Sequence, residues 1–257
     1  MRLKGKKAFI TGGNSGIGLA TAKVFVDEGA EVIITGRNQA RLDEAVKLLG
    51  PKVYGIRLDV TDSAARKAAF KAAEEKFGKL DVLFANAGIP GNTPAGKTDE
   101  QLFEQILQTN LTSVFFTVED ALPYLKDGAS IIFNSSVIGA LGQPGYSAYA
   151  ASKAGVRALA RSLAADLSPR RIRVNVVAPG ATYTPIWERN GRPKEEFSRF
   201  EQQYAKLVPL GRWGEAEEIA KAVLFLASDD SSYVQAVELF VDGGLTGTPY
   251  GGAALRP

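Results

Sequence analysis

Short β-branched runs alternate along this chain with longer amphipathic segments, and several of the short runs carry no polar alternation. Val32-Ile33-Ile34, Ser130-Ile131-Ile132-Phe133 and Val174-Asn175-Val176-Val177 are of this kind. A strand with one face in water alternates apolar and polar residues; a strand covered on both faces does not. Strands of the second type, separated by helices, build a parallel sheet with helices on either side. The expected strands span residues 7–11, 31–35, 53–58, 82–86, 130–134, 173–177 and 237–241. The expected helices span residues 16–28, 39–49, 63–77, 100–125, 148–167 and 215–227, with Gly29 and Gly78 as helix stops. The fold class is therefore α/β, a single-domain, Rossmann-type, doubly wound parallel sheet of about seven strands with helices on both faces.

At 257 residues, with no internal repeat or composition break, the chain reads as one domain over 1–257. A domain of this size needs no disulfide or structural metal, and the composition provides neither: there are 0 Cys and 0 His. Thiolate clusters, His-ligated zinc, Cys nucleophiles and Ser-His-Asp catalysis are excluded together, and no metal site is expected. Acid/base chemistry must come from Tyr, Lys, Asp, Glu or Ser. The net charge is +3 with a pI near 9.0, and no Lys/Arg run resembles a nucleic-acid arm. A nucleic-acid partner is not expected, whereas an anionic small molecule suits the charge. The basic start is followed by only Ala8-Phe9-Ile10 before a polar turn, too short for a signal-peptide core. No stretch approaches the roughly 18 apolar residues of a membrane helix. A soluble, cytoplasmic protein is expected. Residues 182–212 lack an assignment, and long structureless loops are uncommon inside compact domains. They are read as a partly helical substrate lid over about 184–212. The Gly/Pro-rich tail, 243–257, is either frayed or packed on a partner subunit.

The first strand runs into Thr11-Gly12-Gly13-Asn14-Ser15-Gly16-Ile17-Gly18, followed by a helix. Small residues let the turn tighten and let backbone N–H groups approach an anion, and the helix N-terminus adds partial positive charge. The spacing, Gly-x3-Gly-x-Gly, is neither Gly-x-Gly-x-x-Gly nor a phosphate loop, since no Gly-Lys-Ser/Thr follows. A turn serving only tight strand–helix packing remains the plain alternative. The loop's position, after the first strand of a doubly wound sheet, is where a dinucleotide pyrophosphate binds. At the end of strand two, where an acidic residue would bind a ribose 2′-OH, the chain has Thr35-Gly36-Arg37-Asn38. Gly36 brings no carboxylate to repel a 2′-phosphate, and Arg37 offers a fork to grip one unless it is simply a solvated arginine. Ser15 and Asn38 can add neutral hydrogen bonds. NADP(H) is expected in preference to NAD(H).

Tyr149-Ala150-Ala151-Ser152-Lys153 puts Tyr and Lys at i and i+4 on one helix face. Of eight tyrosines only Tyr149 has a lysine four residues on. A phenol titrates near 10, and an adjacent ammonium favours the phenolate. A drop of roughly three units needs about 4 kcal/mol, more than one lysine supplies unless it is close, partly buried and helped by another cation. Many such pairs are ordinary helix-surface contacts. Strand five ends in Phe133-Asn134-Ser135-Ser136 at the sheet edge where ligands of open α/β sheets sit. Periodicity does not decide which serine points inward, or whether both merely end the strand.

The ordered set Thr11–Gly18, Asp59-Val60, Asn86-Ala87-Gly88, Asn110, Ser136, Tyr149-x3-Lys153 and Pro179-Gly180-x3-Thr184 resembles the short-chain dehydrogenase/reductase family, essentially to Asp242-Gly243-Gly244. The resemblance implies a catalytic tetrad. Tyr149 is its acid/base, Lys153 lowers the tyrosine pKa and binds the nicotinamide ribose, and Ser136 hydrogen-bonds the substrate oxygen, leaving Ser135 structural. Asn110 holds a water in a proton relay, or else is a satisfied buried Asn bending its helix. Gly12, Asn14, Ser15, Gly16, Ile17 and Gly18 make the dinucleotide loop, and Asp59 and Val60 hold the adenine, unless Asp59 caps the next helix. Asn86, Ala87 and Gly88 line the adenine-ribose side. Pro179, Gly180, Thr182 and Thr184 shape the nicotinamide pocket. The two apolar helices over 100–125 and 148–167 imply a homotetramer.

The function read from this is NADPH-dependent, reversible reduction of a ketone or aldehyde to an alcohol, acting on a small molecule. Alternatives are a reductase of carrier-bound 3-oxoacyl chains and a catalytically silent cofactor-binding regulatory protein. Trp187, Phe197, Phe200 and Tyr204 form either an apolar substrate pocket or the core of the lid itself.

Overall fold

The computed structural model describes residues 1–184 and 194–255. Its strands are β1 (Lys7–Ile10), β2 (Glu31–Gly36), β3 (Val53–Arg57), β4 (Leu80–Ala85), β5 (Leu125–Asn134), β6 (Arg173–Pro179), β7 (Thr182–Tyr183), β8 (Gly214–Glu215) and β9 (Glu238–Val241). Seven of them form one sheet in the order β3-β2-β1-β4-β5-β6-β9, every pair parallel. The order reverses between β1 and β4, which creates a crevice at the strands' C-terminal ends. The helices are α1 (Gly16–Asp27), α2 (Gln39–Leu49), α3 (Ser63–Phe77), α4 (Glu100–Leu107), α5 (Ser113–Ala121), α6 (Ser147–Asp166), α7 (Lys194–Ala205) and α8 (Ala216–Ala227).

The apolar strands fill two cores at once. Phe9, Ile33, Leu83, Ile131 and Val174 point into a core closed by α3, α5 and α6. Their neighbours Ile10, Ile34, Phe84 and Ile132, with Val177 further along β6, point into a second core closed by α1, α2 and α8. Successive side chains of a strand face opposite sides, so covering both faces requires apolar residues at every position. Asn38, Asp62 and Asp99 cap α2, α3 and α4 by accepting the N–H groups of Arg41, Ala65 and Leu102.

Three expectations need correction. The single helix expected over 100–125 is interrupted. A π-helical turn, Gln108–Thr112, separates α4 from α5, and a 3-10 turn, Leu122–Tyr124, ends the run. Within it Ser113 and Thr117 hydroxyls donate to carbonyls four residues back, which loosens a helix, and Pro123 cannot continue one. Strand β5 accordingly starts at Leu125, opposite Leu80, with a register shift before Val82. The tail, as far as residue 255, packs on its own chain: Leu210 N–H donates to Gly243 O and Ala254 N–H to Lys206 O. Asp242 anchors the turn by accepting from Gly244 N–H and from both N–H and hydroxyl of Thr246. Within the stretch read as a lid, α7 supplies the helix and β7–β8 ties Thr182–Tyr183 to Gly214–Glu215. Trp187 and the side chain of Phe197 lie outside the described residues. Among those described, no helix is long and apolar enough to cross a membrane.

Candidate active site

A cleft of about 500 Å3 opens at the crevice between β1 and β4. Its first wall is the glycine loop. Ser15 stands at the N-cap of α1 without a side-chain capping bond, and no acidic residue occupies the first turn. The helix thus presents its uncapped N–H groups to the cleft, as an anion site requires. A Cβ on Gly18 would stand 2.3 Å from Gly12 O, so this glycine serves the approach of α1 to the loop. Thr11, in the motif but assigned no role from sequence, accepts the N–H groups of Asn86 and Ala87 on its hydroxyl. The Asn86 amide in turn donates to Thr11 O at 3.0 Å and Gly12 O at 3.2 Å, and accepts from the Asn134 amide at 2.8 Å. Asn86 therefore lashes the loop to β4 and β5.

At the far end the cleft is lined by Gly36, Arg37, Asn38, Asp59 and Val60, and also by Arg41, which sequence reasoning passed over although it lies four residues beyond Arg37. Both arginines are exposed. A Cβ on Gly36 would meet the Asn14 side chain at 2.5 Å, so Asn14 packs directly over this glycine. The Asn38 side-chain oxygen accepts the Arg41 N–H, and its NH2 remains to donate to a ligand. Burial alone would push the Asp59 carboxyl up. Its two hydrogen bonds from Thr61 and the nearby Arg37 charge prevail and hold it below the usual value. The helix cap beside it is Asp62, not Asp59. Arg66 is buried, paired with Asp120 at 2.9 Å, and donates to Val60 O at 2.7 Å, fixing this turn from behind.

The third group of residues sits where β5 meets α6. Thr93 orders the start of α6 by accepting the Ala148 N–H, and its carbonyl accepts from the Ser147 hydroxyl. The two serines of β5 diverge: Ser135 Oγ donates to Lys153 O at 3.1 Å, whereas Ser136 faces the Tyr149 phenol. Lys153 is buried, and its ammonium donates to Asn134 O at 2.7 Å and stands 5.5 Å from the Tyr149 ring centre. Desolvation lowers its pKa to about 8. Burial raises the Tyr149 phenol; hydrogen bonding with Ser136 pulls it down, the neighbouring Tyr146 pushes it up, and the net direction is up. Lys153 is not among the causes of this shift, whose largest is burial, so the lowering implied for it is not seen in the protein alone. Asn110, fully buried in the π turn, spends its side chain on Ile89, accepting its N–H at 2.8 Å and donating to its carbonyl at 2.9 Å. Thr182 donates to Gly180 O at 3.0 Å, and Thr184 lies against Gly16; both line the cleft with Pro179.

An aromatic wall closes the cleft beyond Tyr149. Tyr183, Phe200 and Tyr204 surround Trp213 with ring centres 5.4–5.9 Å from it, and Tyr146 meets Tyr149 edge-on at 6.3 Å. Trp213 and Tyr146 escaped the sequence reading, although Tyr146 sits one helical turn before Tyr149.

The comparisons agree with this geometry. The family model described as enoyl-(acyl carrier protein) reductase matches residues 12–246. The chain is 41% identical over 250 residues to a 3-oxoacyl-(acyl-carrier-protein) reductase of Thermotoga maritima, covering 95% of this chain and 99% of that one. It is 39% identical over 252 residues to an NADP-dependent (R)-specific alcohol dehydrogenase of Lentilactobacillus kefiri, covering 95% and 98%. The crystal structure of levodione reductase matches with a TM-score of 0.89 at 35% identity, over 95% of this chain and 98% of that one. The fold and the relatives are those of an oxidoreductase family that uses a nicotinamide cofactor. The chain belongs to the short-chain dehydrogenase/reductase family.

Proposed function

We propose that the protein reversibly reduces a ketone or aldehyde to an alcohol with NADPH. The observation that carries this reading is the convergence of the Ser136 and Tyr149 hydroxyls beside a buried Lys153. Two O–H groups aimed at one place suit a carbonyl oxygen better than a carbon–carbon double bond. Tyr149, protonated at neutral pH, donates its proton to that oxygen, and the Ser136 bond strengthens as alkoxide charge develops. In the alcohol-oxidising direction Tyr149 takes the proton back. The bound cofactor supplies hydride exchange between its nicotinamide ring and the carbonyl carbon.

The cleft fits such a cofactor on its own chemistry: an uncapped helix N-terminus, a loop with no room for a Cβ, and two buried polar atoms, Thr35 Oγ1 and Asn134 Oδ1, without protein partners. Gly12 through Gly18 would hold the pyrophosphate, Arg37 with Arg41 the 2′-phosphate, and Asp59 with Val60 the adenine. Asn86, Ala87 and Gly88 would flank the adenine ribose, Tyr149 and Lys153 would take the nicotinamide ribose, and Pro179, Gly180, Thr182 and Thr184 would line the ring. Asn110 acts as a positioning residue through Ile89. Residues 184–212 serve as the substrate lid, and the exposed faces of α5 and α6 assemble a homotetramer.

The test is NADPH consumption across a panel of carbonyl compounds. Because Lys153 remains to hold the ribose, Tyr149→Phe should leave cofactor affinity nearly unchanged and lower kcat by at least roughly 10²-fold, the low end for general acid/base catalysis; retained turnover would make Ser136 or solvent the proton source. The Thermotoga relative supports a second reading, reduction of 3-oxoacyl thioesters on a carrier, and such a thioester belongs in the panel. Inactivity against every class, with NADPH still bound, favours a regulatory protein.

A further inference from the structure

Tyr149 sits in the first turn of α6, the least secure part of a helix, because the leading N–H groups have no partner four residues back. The sequence of α6 does little to secure that turn. Tyr146 at the N-cap makes no side-chain capping bond, and no acidic residue occupies the first turn. A Ser, Thr, Asn or Asp at the N-cap would accept the second or third N–H. Here that bond comes from a different part of the chain. Thr93, buried in the loop after β4, accepts the Ala148 N–H on its hydroxyl at 3.1 Å. It also donates its own N–H to Gly145 O at 2.6 Å. Ser147 spends its hydroxyl proton on Thr93 O at 2.9 Å, so the Thr93 hydroxyl, 3.0 Å from Ser147 Oγ, donates in return.

The loop that carries Thr93 is itself held at two earlier points. Asn110 grips Ile89 at both its N–H and its carbonyl. Gly91 lies so close to α4 that a Cβ there would stand 2.2 Å from the Ile106 side chain. Residues 89–93 thus form a short strap from the π turn to the start of α6, with a polar grip at each end.

We propose that Thr93 is a positioning residue for proton transfer. It holds the first turn of α6, and with it the Tyr149 phenol, against Ser136, and Asn110 acts on the reaction through the same strap rather than by a path of its own. This rests on the reading of Tyr149 as the proton donor. A phenol that strays from Ser136 keeps its hydroxyl but loses the alignment on which proton transfer depends.

The test compares variants with NADPH and a carbonyl compound that the unmodified protein reduces. Thr93→Val keeps the size and the backbone bonds and removes the hydroxyl alone, whereas Thr93→Ser keeps the hydroxyl. Thr93→Val should lower kcat by about 2- to 30-fold, the effect of one N-cap bond at about 1.4 kcal/mol per tenfold. NADPH affinity, read by nicotinamide fluorescence, should stay unchanged, and Thr93→Ser should keep the original kcat. In Asn110→Ala combined with Thr93→Val, kcat should match the slower single variant, because a strap cut at either end fails once; independent roles would multiply. Should Thr93→Val not fold, Ser147→Ala, which removes the exposed partner of Thr93, is measured in its place and should lower kcat at unchanged NADPH affinity. An unchanged kcat in the variant measured, NADPH affinity lost in step with kcat, Thr93→Ser as slow as Thr93→Val, or single effects that multiply would overturn the inference while leaving Tyr149 as the proton donor. Retained turnover in Tyr149→Phe, or no NADPH consumption with any carbonyl compound, would overturn both.

Discussion

A buried ammonium with a single carbonyl for company is expensive to keep, and Lys153 is such a group. Its folded pKa of about 8 lies below the ordinary 10.5, so the unfolded chain binds the extra proton. The penalty is fully present below pH 8, amounts to roughly 3 kcal/mol, and disappears as pH rises toward 10.5. Lys153→Met should therefore raise the thermal midpoint at pH 7, the advantage fading between pH 8 and 10.5, while weakening cofactor binding. A midpoint that falls at pH 7 would mean the bond to Asn134 outweighs desolvation. The same scale decides cofactor choice. Charge-assisted bonds from Arg37 to a 2′-phosphate contribute roughly 1.5–3 kcal/mol each, a kcat/KM preference for NADPH of about 10- to 10³-fold. Because Arg37 is exposed, the preference should shrink at high salt. Gly36→Asp with Arg37→Ile should turn it toward NADH, after Asn14 swings off the new Cβ. Equal kcat/KM for both cofactors in the unmodified protein would make Arg37 a bystander. Tyr149, Lys153 and Arg37 were legible because each carries its chemistry in a short spacing. Arg41, Tyr146 and Trp213 were not, because what brings them to the cleft is the packing of α2, α6 and the segment before β8.

Elements followed the sequence where hydrophobic period and glycine stops agreed, as in α1, α2 and α3, whose ends fall within a residue of expectation. They departed where side chains compete for the backbone. Nothing in an apolar helical period announces that Ser113 and Thr117 will bond back to carbonyls, or that Asn110 will turn away from its helix to hold Ile89. The π turn is the consequence, and it is a joint between α4 and α5 whose inside is polar. Asn110→Ala would deprive the part-buried Ile89 of the partners of both its N–H and its carbonyl. An unsatisfied group costs about 1–3 kcal/mol when fully buried, and the cleft lets water reach Ile89, so equilibrium unfolding in urea should show a loss of roughly 1–3 kcal/mol in all. A loss below about 0.5 kcal/mol would show that the loop after β4 finds other partners. The tail illustrates the same limit: glycine and proline content marked it as irregular, but the contacts with 206–210 arise only once α7 and β9 are in place.

For the whole molecule, two cores on a seven-strand sheet leave α5 and α6 with outward faces, and Phe116 on α5 remains 45% exposed. Light scattering should return a tetramer, with Phe116→Glu lowering the assembly state; a monomer at micromolar concentration would refute that arrangement. The fold class was readable from the alternation of strands with helices and from the unbroken apolar strands, whereas the arrangement of the substrate end depends on residues far apart in sequence. The lashing of the cleft has a consequence for how such a protein can change. Lys153 holds Asn134, Asn134 holds Asn86, and Asn86 holds the glycine loop. The distance between the loop and the reacting hydroxyls is thereby gauged by polar bonds inside the sheet edge, independent of what stands opposite. The aromatic wall hangs instead from β7, α7, β8 and the folded-back tail, outside that gauge. New substrate shapes, sizes and polarities can be tried on the wall by substitution alone, and the proton and hydride chemistry need not be relearned each time.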